Sequence, residues 1–193
     1  MDKKSLFKIL KDNPIIPCTD NFDDILESRF DKIKVVLIHE NTILDIKELI
    51  KKNKGAKKII ILSLEALKGI ACDEYGLRFI KEYLNIDIVT ASSPKLIKIS
   101  KKLGFFTIQT LFILDTKSLE RTVSLAKQSK PHMIDIRPGM AIIKTNKFLK
   151  NNLKEFPIIC SGLIRNESDI KEILSHDVAG LTTSNKKLWD YFL

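Results

Sequence analysis

Short apolar blocks alternate along this chain with stretches in which apolar residues recur at helical spacing. A short amphipathic helix over Ser5–Lys11 precedes the first block, Pro14–Thr19 (PIIPCT), and a helix around Asp23–Phe30, capped by Asp20 or Asn21, follows it. Further strands are predicted at Val35–His39, Lys58–Ser63, Ile86–Thr90, Phe105–Leu111, Met133–Arg137, Pro157–Cys160 and Val178–Thr182. Between them the pattern predicts helices over Thr42–Asn53, stopped by Gly55, over Leu77–Leu84, and from the Ser93 cap and Pro94 to Gly104. Helices over Ser118–Gln128 and Ala141–Leu153, one started by Asn166 with Asp169 three residues on, and a last one over Lys187–Phe192 complete the series.

The strands are rich in Ile and Val and mostly apolar rather than alternating, the pattern of parallel strands covered by helices. Eight strand–helix units predict an α/β fold, a small (β/α)8 TIM-like barrel with a short N-terminal helix, as a single domain over residues 1–193. A doubly wound open sheet is the competing arrangement. It would carry G-x-G-x-x-G after its first strand, where this chain has CTDNFDD.

Charge adds a preference for anionic partners: 33 basic residues against 24 acidic give a net charge of +9. The basic residues are mainly lysines, which also serve simply as a soluble surface. Cys18, Cys72 and Cys160 form no C-x-x-C pair and read as small buried hydrophobes. No apolar run approaches the roughly 20 residues that cross a bilayer, and MDKKSLFKILKDN lacks a secretory signal pattern, so a cytoplasmic protein without a membrane partner is expected.

In a barrel of this type the working surface lies at the C-terminal ends of the strands. The final two strand ends offer Ser161 and Gly162, then Thr183, Ser184 and Asn185 before a short helix, a common setting for a phosphate; the bland alternative is a turn glycine and caps. Glu65, Gln109, Asp135 and Arg137 are further ligand candidates at the rim, although Asp135 and Arg137 share strand parity and could pair with each other. No catalytic residue, metal ligand set or cofactor is assigned, since no H-E-x-x-H pattern and no strand-end lysine is present. For nucleic acid, Lys95, Lys98 and Lys102 on one helix and Lys144 and Lys147 on another are the best patch candidates, with lysines around Lys51–Lys58 as a third. Phe105, Phe106 and Phe112 lie in a strand run and are expected in the core.

The strings PIIPCTDNFDD, LKGIACDEYG, LGFFTIQTLFILDT, KPHMIDIRPG, CSGLIRNESDI and AGLTTSNKKLW resemble, in order and spacing, the glycerol uptake operon antiterminator regulatory protein family. The resemblance covers about residues 14 to 190. It implies a phosphate-binding barrel that responds to a phosphorylated small-molecule effector, glycerol 3-phosphate. It also implies action on mRNA leader RNA of glycerol-utilisation genes, letting transcription pass a terminator and stabilising the message. The Gly162 turn and Thr183-Ser184-Asn185 would then hold the phosphate, and Glu65 would face the glycerol hydroxyls.

Several positions depart from the family pattern. An arginine is replaced at Asp20, H-x-D becomes Ser63-Leu64-Glu65, I-Q-R ends in Thr110, and G-G becomes Ser161-Gly162. Asp135-Ile136-Arg137-Pro138-Gly139 stands where the family has E-V-L-P-G, so one positive charge appears as two vanish. Two expectations for the effector follow, glycerol 3-phosphate itself or an altered ligand. A small barrel enzyme acting on a phosphorylated metabolite and a degenerate non-binding barrel are the alternatives; the oligomeric state, the RNA target and the coupling of ligand to RNA are left open.

Overall fold

The computed structural model describes residues 3–193, with side chains from residue 6 onward. Met1 and Asp2, the start of the expected 1–193 domain, lie outside the described residues. Eight parallel strands close in sequence order into a barrel, β1 pairing with both β2 and β8. They are β1 (Ile15–Thr19), β2 (Val35–Ile38), β3 (Ile59–Ser63), β4 (Ile88–Ala91), β5 (Phe106–Phe112), β6 (Met133–Arg137), β7 (Ile158–Ser161) and β8 (Gly180–Thr183). The helices are α1 (Lys3–Asp12), α2 (Ile43–Ala56), α3 (Glu74–Tyr83), α4 (Pro94–Lys102), α5 (Thr116–Ser129), α6 (Ile142–Leu153) and α7 (Glu167–Leu174). The barrel and its N-terminal helix are thus those the alternation predicts.

Successive strand residues point to opposite faces, so each strand serves two cores. Ile16, Val35, Leu37, Ile61, Ile88, Phe106, Ile108, Met133 and Ile159 fill the interior, and Leu6 and Leu10 of α1 join that cluster and close its N-terminal end. The alternate residues, such as Val36, Leu62, Val89, Ile134 and Cys160, pack outward under the helices. That two-sided burial is why the strands read as continuous apolar runs.

Two expected helices are shorter structures. The region Asp23–Phe30 is a pair of 3₁₀ turns, Phe22–Leu26 and Ser28–Phe30, separated by the extended Glu27 at φ −60°, ψ 137°. Burial of Phe22, Ile25 and Phe30 sets that path, with the Asn21 side chain accepting the Asp23 N–H. Lys187–Phe192 likewise begins as a 3₁₀ turn, Lys186–Leu188, whose continuation seats Trp189 against Phe30 at 5.3 Å. Gly55 does not stop α2. The helix runs to Ala56 and ends on Lys57 in the left-handed region, while the Asn53 side chain bonds both the N–H and the carbonyl of Lys58.

Candidate functional site

Two residues beyond the apolar interior layer, the same strand parity brings polar side chains to the C-terminal mouth: Cys18, Ser63, Thr90, Thr110, Asp135, Ser161 and Thr182. Five of them are linked. Thr182 Oγ1 donates to Ser161 Oγ (2.8 Å), Ser161 Oγ donates to Asp135 Oδ1 (2.5 Å), and Thr110 Oγ1 donates to Asp135 Oδ2 (3.4 Å) while lying 3.1 Å from Thr90 Oγ1. Arg137 Nε donates to Asp135 Oδ2 at 2.7 Å, so the ion pair inferred from strand parity is present.

Asp135 is 2% exposed, and burial pushes its carboxyl above the ordinary range, opposed by the Arg137 charge and by the bonds from Ser161, Arg137 and Thr110. Both its oxygens are committed, and their partners are an arginine and hydroxyls. A buried pair of this kind adds little net stability, but removing one partner strands the other charge and costs about 3–5 kcal/mol. Its structural effect is to fix the Arg137 guanidinium at the mouth. Among the described residues the guanidinium has no further hydrogen-bond or ion-pair partner.

Arg137 stands between two cavities. One, about 140 Å³, is lined by Cys18, His39, Arg137, Ser161, Gly162, Leu163, Ile164, Thr182, Thr183 and Ser184. With a water occupying about 30 Å³ of liquid, it has room for several such groups. Gly162 and Leu163 are both left-handed (φ +82° and +60°), and a Cβ on Gly162 would meet nothing within 4 Å, so conformation rather than space selects glycine there. The other cavity, about 470 Å³, is lined by His39, Glu40, Ser63, Glu65, Ala66, Lys68, Thr90, Ala91, Ser92, Thr110, Phe112 and Arg137. A third, about 360 Å³, adjoins them and carries Asp20, Asp24, Glu40 and Lys186. A larger cavity of about 640 Å³ lies away from the mouth, at the start of β7 beside Phe7.

The sequence candidates divide accordingly. Ser161, Gly162, Thr183, Ser184 and Arg137 border the small cavity, but the Thr183 hydroxyl is turned to the Ile164 carbonyl (3.3 Å) and accepts the Asn185 N–H (3.1 Å). Asn185 is a cap: its side chain accepts the Lys187 N–H and donates to the Arg165 carbonyl (3.0 Å). Glu65 borders the larger cavity while receiving the Ser92 N–H (2.8 Å), the Ser92 hydroxyl (2.9 Å) and the Ser93 N–H (3.0 Å), so it holds the start of α4.

Gln109 departs from the expectation of a mouth residue. It is one position out of phase with Thr110, faces outward, and accepts the Ser129 hydroxyl of α5 (2.5 Å) while donating to the Ser92 carbonyl (3.3 Å). Phe105 and Phe106 are buried as expected, whereas Phe112 is 52% exposed at the mouth, where β5 runs three residues past its last pairing with β4 at Gln109. Lys58, grouped with the solvent lysines by sequence, is buried: its ammonium donates to the carbonyls of Phe30 (2.9 Å), Ile33 (2.8 Å) and Asp31 (3.3 Å), and burial lowers its pKa.

His39 stands at a strand end but is not among the ligand candidates named from the sequence. It borders all three mouth cavities, and its Nδ1 is buried without a hydrogen-bond partner. Its place two residues beyond the inward Leu37 is the signal that could have found it. Cys18, beside it, is a thiol pushed up to about 11 by burial, with the Arg137 charge acting in the opposite sense. The loop between β3 and α3 is fastened down. Lys68 N–H donates to the Asn41 carbonyl and its own carbonyl accepts the Ile43 N–H, both at 2.9 Å.

Lys95, Lys98, Lys102, Lys144 and Lys147 are exposed on the outer sides of α4 and α6, away from the mouth cavities. Among the described residues no group of three or more His, Cys, Asp and Glu could hold a metal ion, and no helix is long and apolar enough to cross a membrane.

Residues 15–189 match the family described as glycerol-3-phosphate responsive antiterminator. The glycerol uptake operon antiterminator regulatory protein of Listeria monocytogenes is similar in structure, with a TM-score of 0.83 and 24% identity, covering 92% of this chain and 95% of that one. An antiterminator-related protein of Thermotoga maritima gives a TM-score of 0.79 at 26% identity, covering 91% and 96%. The uncharacterized protein YgcP of Escherichia coli is 26% identical over 184 residues, 95% of each chain.

Proposed function

The chain belongs to the glycerol-3-phosphate responsive antiterminator family, and on that premise we propose that it is a non-enzymatic regulator that senses a phosphorylated polyol at the barrel mouth and acts on leader RNA. The observation that carries the sensing site is Arg137, held by Asp135 between a small cavity at the β7 and β8 turns and a larger one lined by hydroxyls. A phosphate in the first would meet the guanidinium and the Ser161–Ile164 turn, and a glycerol moiety in the second would meet Ser63, Thr90 and Thr110. Arg137 supplies a cation where the family pattern loses two, on the strand next to Thr110. A sensor is favoured over an enzyme acting through Asp135, because this one buried carboxylate at the mouth has both oxygens occupied by donors and is not free as a base.

Calorimetric titration with glycerol 3-phosphate tests this reading, with inorganic phosphate and glycerol as controls. Micromolar binding of the ester alone is expected, and Arg137→Leu weakens it about 10- to 100-fold, the size of one charged hydrogen bond. Equal binding by Arg137→Leu would overturn the site assignment.

A second reading, an altered effector, is favoured by the acids beside the pocket: Asp20, Asp24 and Glu40 border the adjoining cavity. A phosphate ester that also carries an ammonium group would suit them. Phosphoethanolamine in the same titration decides, since tighter binding than glycerol 3-phosphate supports the altered ligand and absence of binding removes it.

A further inference from the structure

The residues between Pro94 and Lys154 include 13 basic and only 3 acidic side chains, whereas the rest of the chain holds 20 basic and 21 acidic. The whole net charge of the protein therefore resides in the segment that contains α4, α5 and α6. These helices pack side by side, α4 on α5 and α5 on α6, and so form one continuous outer wall. Twelve of the thirteen cations are exposed and lie on or beside these helices, the exception being Arg137 at the mouth. Lys150 pairs with Asp177 at 3.2 Å; the other eleven make no ion pair among the described residues.

Spacing gives the wall its pattern. Lys95, Lys98 and Lys102 form a stripe about 10 Å long on α4, and Lys144 and Lys147 on α6 with Lys154 at its C-cap form one about 15 Å long, at a rise of 1.5 Å per residue. Arg121 lies on α5 between them. Eleven of the twelve are lysines, which bind phosphates as point charges and read no bases. Stacking surfaces are sparse, because Phe148 is the large exposed apolar side chain on the wall, while Phe112 and Leu114 stand at its upper edge. Single strands are held by aromatic platforms, whereas base-paired RNA is recognised through backbone and shape.

We propose that the α4–α5–α6 wall binds the phosphate backbone of a base-paired RNA stem. The assignment rests on the RNA-regulator reading above and adds to it the surface and the form of the partner.

The test measures binding of the full chain to a labelled RNA hairpin, to a single strand of equal length and to polyglutamate, across a salt series. The wall variant carries Lys95→Glu, Lys98→Glu, Lys144→Glu and Lys147→Glu. A control of equal charge change carries Lys8→Glu, Lys11→Glu, Lys32→Glu and Lys47→Glu at exposed positions outside every patch named above, and the four wall positions are also changed to Gln in case reversal prevents folding. Hairpin binding that falls steeply with salt, weakens at least about 50-fold in the wall variant and stays within about threefold in the control supports the wall, with each lost contact lowering the logarithmic salt slope by about 0.9. Intact binding by the folded wall variants would overturn the wall while leaving an RNA regulator standing. Absence of RNA binding by the unaltered chain at low salt overturns both. Tighter binding of the single strand overturns the base-paired form, and polyglutamate bound as tightly as the hairpin assigns the wall to an acidic polypeptide instead.

Discussion

Two arcs of the outer wall use the same residue, lysine, in different ways. Around α2 and α3 most cations are matched, Lys51 to Glu48 at 2.7 Å, Lys52 to Asp23 at 2.6 Å, Arg78 to Glu74 at 2.9 Å and Lys81 to Asp87 at 2.6 Å, with Lys58 buried against three carbonyls, while Lys47, Lys54 and Lys57 make no ion pair among the described residues. From α4 to α6 they stand almost without acids, and Lys101 reaches only the Lys130 carbonyl, at 2.6 Å. Lysine content alone does not separate these cases. Pairing does: a matched lysine holds the fold or keeps the surface soluble, while a run of unmatched ones raises the potential toward an anion.

The sharpest way to break the contrast is at Lys58. Lys58→Met strands the carbonyls of Phe30 and Ile33 and should lower unfolding free energy in urea by about 1–3 kcal/mol, the penalty for buried groups left unpaired. An unchanged midpoint would place Lys58 with the solvent lysines.

Next comes acid. Glu48, Asp87 and Glu27 have pKa values lowered first of all by hydrogen bonds from Lys51, Lys81 and Lys186 respectively. A lowered folded pKa contributes stability that is present above the unfolded value and lost as pH falls through the folded one. Hydrogen-exchange protection factors, which remove the intrinsic pH dependence of exchange, should therefore fall around α2 and α3 between about pH 4.5 and 3 before they fall along α4 and α6, with the start of α5, capped by the likewise lowered Asp115, following α2 and α3. Equal loss of protection in α2, α3, α4 and α6 would erase the distinction.

Smaller still is Lys52→Ala, expected to cost about 0.2–1 kcal/mol as an exposed pair is lost. Lys98→Ala should change stability by less than about 0.5 kcal/mol in either direction, because it has no ion-pair partner to lose.

The strand–helix alternation made the barrel legible, since apolar runs and caps such as Ser93 and Asn166 are local signals. The Asp135–Arg137 pair was legible for the same reason: two residues apart on one strand share a face. Gln109 was misplaced because a strand end alone does not give its phase. Counting from the inward Phe106 and Ile108 would have put it outside. The capping by Glu65 was hidden, because Ser92 and Ser93 lie far along the chain and meet it only when β3 and β4 pair. The buried Lys58 was hidden too, as its acceptors belong to the loop before β2, whose 3₁₀ turns are set by tertiary burial of Phe30 rather than by local pattern.

The fastening of the β3–α3 loop has a consequence in time. Held by Lys68 to Asn41 and Ile43, and by Glu65 to the start of α4, this ten-residue stretch (residues 64–73) is the longest of the strand-to-helix loops at the mouth, and it is anchored rather than hinged. A ligand at Arg137 would then enter and leave without waiting for a flap, so its residence would be set by contact strength alone. Such a receptor reports the momentary concentration of its effector and keeps no memory of an earlier one.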